Sequence, residues 1–327
     1  MAMPTDKRTF EIVLYYITHG KDATCKQYGV NAETITRYER QVKKQFGDGF
    51  DFGRLKNASA ILGAYTDTEL DAISKGRTLT VSTGIPEMKI DTKSGEWVTI
   101  GAMTDTHVGS KCCMETAIKD AIDEINETCD IFTHSGDVSE GMSHRPGHIY
   151  ELTDLGFDAQ KQKCIDIFSK VKKPAYIIDG NHDRWYIKSN GALIVKDMCD
   201  AINGASGNTN FNFLGHDVGE FKLNGVRVML WHGEDSSSYA LSYRIQKIIE
   251  SFSGGTKPQI LFAGHVHKAG YFFIRNIHAF SAGCMEVQTP WMRGKRIEAH
   301  TGWWKTRMLI NKNSIVRCAQ EFIPFYV

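Results

Sequence analysis

The chain has 327 residues, with 39 Lys and Arg against 38 Asp and Glu and a net charge of only +1. This length supports one large domain with a smaller attachment, and the near-neutral balance excludes a whole-molecule electrostatic footprint for nucleic acid or membrane, so any such contact must come from a local patch. There is no run of about eighteen apolar residues, no basic-apolar-small order of a secretion signal and no CxxC pair among the eight cysteines, so a cytoplasmic protein with reduced thiols is expected, Cys112 and Cys113 included as packing residues.

Along the chain, Phe10, Val13, Leu14 and Ile17 form a helical stripe over Arg8 to His19 that Gly20 can end. A short helix fits Ala23 to Tyr28, Gly29-Val30-Asn31 makes a tight turn, and Glu33 to Phe46 forms a third helix with Ile35, Tyr38, Val42 and Phe46 on its inner face. Ala23 to Lys44 resembles a helix-turn-helix, which makes Thr34, Arg37, Arg40, Gln41, Lys43 and Lys44 candidate DNA contacts. Residues 1 to 56 hold ten basic and seven acidic side chains, a mild excess that also suits a packing or dimerisation unit. We expect a helical domain over 1–50, then a linker and β-hairpin over 51–95. In that stretch Gly47 to Gly63 reads as linker, Thr68 to Lys75 as a short helix, and Met88 to Ile90 with Trp97 to Ile100 as a hairpin across Lys93-Ser94-Gly95.

From residue 96 to 327 the pattern becomes strand, turn, helix, strand. The apolar runs Trp97 to Met103, Ile131 to His134, Ala175 to Ile178, Val226 to Trp231 and Gln259 to Ala263 read as buried strands. Each ends at a polar block: Asp105-Thr106-His107, Gly136-Asp137, Gly180-Asn181-His182-Asp183, Trp231-His232-Gly233 and Gly264-His265-Val266-His267. The blocks lie roughly thirty to fifty residues apart, the spacing of strand, crossover and strand. Glu234 to Glu250 reads as an amphipathic core helix. Tyr271 to Ile274, Ala279 to Cys284, Trp303 to Ile310 and Ile315 to Ile323 read as consecutive antiparallel strands. The glycines before Asp137, Asn181 and His265 suit strand-end turns with unusual backbone angles. Arg293, Lys295 and Arg296 with Trp291, Trp303 and Trp304 form a basic and aromatic cluster that suits single-stranded nucleic acid, or else buried sheet-edge tryptophans.

The five blocks, in this order, resemble the calcineurin-like metallophosphoesterase family, with its D-x-H, G-D, G-N-H-[DE], lone His and G-H-x-H. The resemblance implies an α/β fold of two packed mixed sheets flanked by helices, forming a metallophosphoesterase catalytic domain over 96–327. It also implies two divalent metal ions. Asp105, His107 and His267 would bind one, Asn181, His232 and His265 the other, and Asp137 would bridge them. Carboxylate, imidazole and carboxamide donors suit Mn first, with Fe, Zn or Mg as further candidates. His182 falls outside the ligand pattern and reads as a general acid or a stabiliser of the transition state, with Asp183 holding its ring.

The loop after Asp137 is similar to the G-D-x-x-[DE]-G stretch in the small subunit of archaeal D-family DNA polymerases, and the set as a whole sits close to repair nucleases of the SbcD type. His144, Arg145 and His148 in that loop are candidate phosphate contacts. These readings combine into a two-metal phosphodiester hydrolase, a DNA nuclease or repair-type exonuclease, with no membrane partner and with a homodimer open. The alternatives are a phosphatase for phosphoproteins or small nucleotides, and a non-catalytic DNA-binding protein.

Overall fold

A computed structural model describes residues 7–46, 85–90, 97–207, 210–233, 240–253, 255 and 257–326, in two units, Met1–Val81 and Ser82–Val327. The first holds α1 (Lys7–His19), α2 (Lys21–Tyr28) and α3 (Ala32–Phe46). Gly29 ends α2 in the left-handed region at φ 66°, its amide donating to the Cys25 carbonyl, a conformation that costs a residue with a Cβ more. Asn31 then caps α3, since its Oδ1 accepts from the Thr34 amide at 2.8 Å, which satisfies one of the helix's orphan donors. Ile12, Val13, Ile35 and Val42 are buried. Of the sequence stripe on α1, Val13 is buried and Leu14 and Ile17 are half-buried, Ile12 joins the buried face, and the Phe10 side chain lies outside the described residues. The expected linker Gly47 to Gly63, the helix Thr68 to Lys75 and the Lys93-Ser94-Gly95 turn lie outside the described residues, as do the side chains of Lys43 and Lys44.

The second unit contains β1 (Glu87–Met88), β2 (Trp97–Met103), α4 (Glu115–Thr128), β3 (Ile131–Ser135), α5 (Phe157–Phe168), β4 (Ala175–Asp179), α6 (Arg184–Asn190), α7 (Ile194–Ser206), β5 (Phe211–His216), β6 (Val218–Leu223), β7 (Val226–Trp231), α8 (Leu241–Ser251), β8 (Ile260–Ala263), β9 (Ala269–Ile274), β10 (Ile277–Ala282), α9 (Pro290–Gly294), β11 (Gly302–Asn311) and β12 (Ser314–Pro324). They build two six-stranded mixed sheets, in the orders β1-β6-β7-β8-β10-β9 and β12-β11-β2-β3-β4-β5.

Strand alternation explains the layers. Val98, Ile100 and Ala102 of β2 join Val228, Leu230, Ile260 and Phe262 of the facing sheet in one apolar cluster. Gly101 points the other way, under α4, where a Cβ would meet Ile125 at 2.7 Å. Helices α4, α5 and α7 pack on that outer face around Phe132 and Phe168, while Ile245 and Ile249 of α8 cover the opposite sheet over Met229 and Leu261. The result is two packed mixed sheets flanked by helices, as the sequence implied. Each side chain fully buried in these layers contributes about 1.5–3 kcal/mol.

Several details differ from expectation. Glu87 and Met88 do not form a hairpin with Trp97 to Ile100. They pair in parallel with Lys222 and Leu223 of β6, where the Asn224 side chain holds both backbone groups of Ile90. The four C-terminal strands form two antiparallel hairpins rather than one run, and these lie in opposite sheets: β10 pairs with β8 and β11 with β2. The sequence pattern did not single out β5 and β6: β5 is largely half-buried, with Asn212 and Gly215 interrupting its apolar character, and β6 buries alternate residues, Gly219, Phe221 and Leu223. Within the expected 234–250 helix, residues 234–239 lie outside the described residues and α8 begins at Leu241.

Candidate metal centre

The C-terminal ends of five strands deliver the polar blocks to one place. β2, β3 and β4 run in parallel in one sheet, and β7 and β8 do so in the other. The backbone turns sharply as it leaves them: Asp105 (φ 50°), His107 (45°), Asp137 (51°), His265 (80°) and His267 (54°) all occupy the left-handed region. Such residues cost about 1–3 kcal/mol each and persist where the surrounding structure enforces them. The unusual angles therefore fall mainly on the functional residues, not on the glycines before them. Gly136 has φ 94°, but Gly180 is required by space, because a Cβ there would strike Asp137 and lie 2.7 Å from His232 Nε2.

The donor atoms converge tightly. His107 Nε2 lies 3.1 Å from His267 Nε2, and 3.9 Å from both Asp105 Oδ1 and Asp137 Oδ2; His267 Nε2 is 3.3 Å from Asp105 Oδ1. On the other side, Asp137 Oδ2 is 3.1 Å from His232 Nε2. Asn181 Oδ1 is 3.2 Å from His232 Nε2 and 2.8 Å from His265 Nδ1. All seven sequence-derived donors are therefore brought together, with Asp137 between the two groups. Donors about 2.0–2.2 Å from one ion lie roughly 3–3.5 Å apart, so the spacings fit divalent cations.

Supporting hydrogen bonds fix the rings. His232 Nδ1 is 2.7 Å from the Ser135 carbonyl and His107 Nδ1 is 2.7 Å from Glu140 Oε2, which leaves Nε2 of each facing the cluster. Asp105 accepts from the His265 amide through both oxygens and from Thr104 Oγ1 at 2.6 Å. His182 lines the same cavity and its Nδ1 is 2.9 Å from the Glu140 carbonyl and 3.4 Å from Glu140 Oε2.

Asp183, expected to hold the His182 ring, is committed elsewhere. Its carboxylate accepts from the amides of Val138, Ser139 and Gly180 and from Ser139 Oγ, tying the loop after β3 to the turn after β4. Its four acceptor contacts leave it no part in aligning the ring, a task Glu140 performs. The candidate phosphate contacts are also redistributed. His148 is buried, receives the Ser143 amide at Nδ1 and pairs with Glu140 Oε1 at 2.9 Å through Nε2, so it faces the protein rather than substrate. Arg145 lines the cavity, with its guanidinium paired bidentately to Glu151 at 3.2 and 2.5 Å. His144 is exposed and outside the lining.

Four carboxylates, those of Asp105, Asp137, Glu140 and Glu286, are buried around these rings. Burial alone would raise Asp137 and Glu140, but the surrounding histidines outweigh it and hold both well below the usual carboxylate range. Conversely, burial opposes charge on His182 and His232, yet the neighbouring carboxylates push them up to about 10 and about 9, with Asp137 foremost in both. Burial and the adjacent His232 lower His265 to about 4, leaving it a neutral donor. In the metal-free chain protons on these rings balance the buried carboxylates, and divalent cations held by the same carboxylates and ring nitrogens would replace them.

Sequence reasoning did not assign roles to Glu140 and Glu286. The first was legible only as the acid of the G-D-x-x-[DE]-G stretch. Glu286 is 3% exposed, accepts from Ser110 Oγ at 2.7 Å and places Oε2 3.9 Å from His107 Nε2; no motif marks it. The cavity at the cluster has a volume of about 590 Å³, and its lining also includes Trp185, Val266, Trp291, Met292 and Ile297. Of the expected basic and aromatic cluster, Trp303 and Trp304 are buried in the layers, Trp291 reaches the cavity, and Arg293, Lys295 and Arg296 are exposed.

The profile of the calcineurin-like phosphoesterase superfamily domain matches residues 98–293. The DNA polymerase II small subunit of Halobacterium salinarum is 22% identical over 233 residues, 60% of this chain and 45% of that protein. The chain thus spans about half the length of the curated relative it matches. Among solved structures, a novel archaeal phosphodiesterase is 14% identical with a TM-score of 0.41, covering 69% of this chain and 100% of that one. Vps29 complexed with zinc, from Entamoeba histolytica, is 12% identical with a TM-score of 0.36, covering 69% and 99%.

Proposed function

The chain belongs to the calcineurin-like phosphoesterase superfamily and is a metal-dependent phosphoesterase, and from that premise we propose that it is a phosphodiesterase acting on nucleic acid, a DNA nuclease of the repair-exonuclease kind. In this reading Asp105, His107 and His267 would hold one divalent cation, Asn181, His232 and His265 the second, and Asp137 would serve both. Mn suits the mixed oxygen and imidazole donors first. Two such ions, when bound, offset charge on the phosphoryl oxygens and make a water acidic enough to attack near neutral pH.

The remaining steps belong to the chain's own residues. Glu140 occupies His182 Nδ1, so Nε2 is the nitrogen left to give a proton to the leaving oxygen. A carboxylate at position 137 is required because an amide there would carry no charge against the two cations.

The observation that carries diester over monoester is the charge of the cavity wall. Among the described residues that line it, Arg145 is the one guanidinium or ammonium group, and Glu151 neutralises it. Beyond the two cations and His182, this wall offers no further unpaired cation for the second negative charge that a phosphate monoester carries near pH 7, whereas a diester carries one and brings organic groups on both sides. The similarity to a DNA polymerase small subunit supports nucleic acid as the source of the diester, and the helices of the first unit, with Arg37 and Arg40 exposed on α3, supply a DNA-facing surface in this reading.

The test compares Mn-loaded protein on end-labelled single- and double-stranded DNA, a chromogenic diester and a chromogenic monoester. Cleavage of DNA and the diester with little monoester turnover is expected. A clear preference for the monoester would replace the reading with a phosphatase for phosphoproteins or small nucleotides, which uses the same donors. Elemental analysis should find two Mn per chain, and fewer after Asp137→Asn.

A further inference from the structure

We infer that the apolar lining of the cavity at the metal centre includes a nucleobase subsite, in which Trp291 stacks on the base of the nucleoside attached to the reacting phosphate. The inference rests on the phosphodiesterase reading for the position of the phosphate and goes beyond it in naming what fills the rest of the cavity.

The cavity combines two chemically distinct kinds of lining. One carries the donor cluster with His182. The other kind of lining comes from Trp185, Val266, Trp291, Met292 and Ile297, with Ser143 and Thr289 as neutral hydroxyls. A volume near 590 Å³ is within the range of about 300–1,000 Å³ that encloses a small organic ligand, far more than a phosphate alone occupies. With Arg145 held by Glu151, the described lining offers a second phosphate no unpaired guanidinium or ammonium group, which favours an uncharged group extending from the scissile phosphate. Two indoles on that wall favour a flat group over a flexible chain, because every base has a π-face to stack.

Trp291 is built to remain available. It sits on α9, whose first turn is capped by Thr289 Oγ1 accepting from the Met292 amide at 3.1 Å. Met292 beside it is buried and anchors the turn, and the Ile297 amide donates to the Met292 carbonyl at 2.9 Å. Trp291 itself is 50% exposed at the cavity. Trp185, by contrast, lies against the His182 ring with centroids 4.0 Å apart, so its face is shared with the catalytic histidine and Trp291 is the freer platform.

The experiment measures inhibition of chromogenic phosphoester hydrolysis by the Mn-loaded full chain, with deoxyadenosine 5′-monophosphate and deoxyribose 5-phosphate as probes. Both present the same phosphate, and only the first carries a base. The nucleotide is expected to bind about tenfold or more tightly, the lower range of single-base stacking. Trp291→Ala should remove most of that difference and Trp291→Phe should keep it, while Trp291→Leu, apolar but not flat, should behave like Trp291→Ala. Equal inhibition by the two probes in the parent, or a preference that survives Trp291→Ala, overturns the subsite. O-phosphotyrosine binding as tightly as the nucleotide would assign the wall to a phenolic ring and also overturn it. A parent that cleaves no oligonucleotide would sink the nuclease reading instead, and the inhibition ratio would still decide the subsite.

Discussion

Glu140 holds three imidazoles at once, those of His107, His148 and His182, and therefore couples a metal-facing ring to the proposed acid. The two roles are separable by substitution. His182→Ala removes no donor of the seven, so metal content should persist while turnover of a substrate with a poor leaving group falls by about 10² to 10⁴-fold, the usual size of general acid assistance. The loss should shrink on a nitrophenolate ester, whose leaving group needs no proton; an equal loss on both would remove the acid role. Glu140→Gln should lower metal occupancy as well as rate, because His107 loses the carboxylate that fixes its tautomer. The seven donors were legible in the sequence because strand-end chemistry keeps them in short blocks. Asp183 misled for the opposite reason: adjacency to His182 suggested contact, yet the turn into α6 aims its carboxylate at the amides of Val138, Ser139 and Gly180. Glu286 had no motif because its partners, Ser110 and His107, lie far from it in the chain.

Among the elements, the turns after β3 and β4 carry the precision of the site. Gly180 leaves no room for a methyl group between Asp137 and His232. Gly180→Ala should leave the circular dichroism of the chain native and deplete bound Mn, since the displaced Asp137 serves both cation positions; normal two-ion occupancy in that variant would show the turn to be tolerant. Gly204 of α7 makes the contrast, with an ordinary helical backbone and nothing within 4 Å of its missing Cβ. Gly204→Ala should stabilise by about 0.5–1 kcal/mol, read as a raised Tm with unchanged turnover. The buried strands β2, β3, β4, β7 and β8 could be read from apolar runs because both faces of each are covered. Sheet membership could not be read. Whether β9–β10 and β11–β12 continue one sheet or edge two is decided by pairing with β8 and β2, partners distant in sequence that no local pattern encodes.

At the scale of the molecule, the division into Met1–Val81 and Ser82–Val327 places every proposed donor in the second unit and the DNA-facing candidates in the first. Thr34 is partly committed, since its Oγ1 donates to Asn31 Oδ1 at 2.8 Å, and the Arg37 guanidinium lies 5.4 Å from the Tyr38 ring. Arg40 and Gln41 are exposed. Deleting residues 1–50 should therefore preserve metal content and hydrolysis of a small diester, because no proposed donor is lost. Duplex affinity should fall, measured in a His182→Ala background so that cleavage does not distort binding. Its salt dependence should also flatten, by about 0.9 in the slope of log affinity against log salt for each phosphate contact removed. Arg37→Glu with Arg40→Glu in the full-length chain gives the same test without truncation, and should weaken duplex binding while leaving small-diester turnover at the parent rate. Unchanged affinity and slope in both variants would remove DNA recruitment from the first unit and leave α1 to α3 as a packing or dimerisation element.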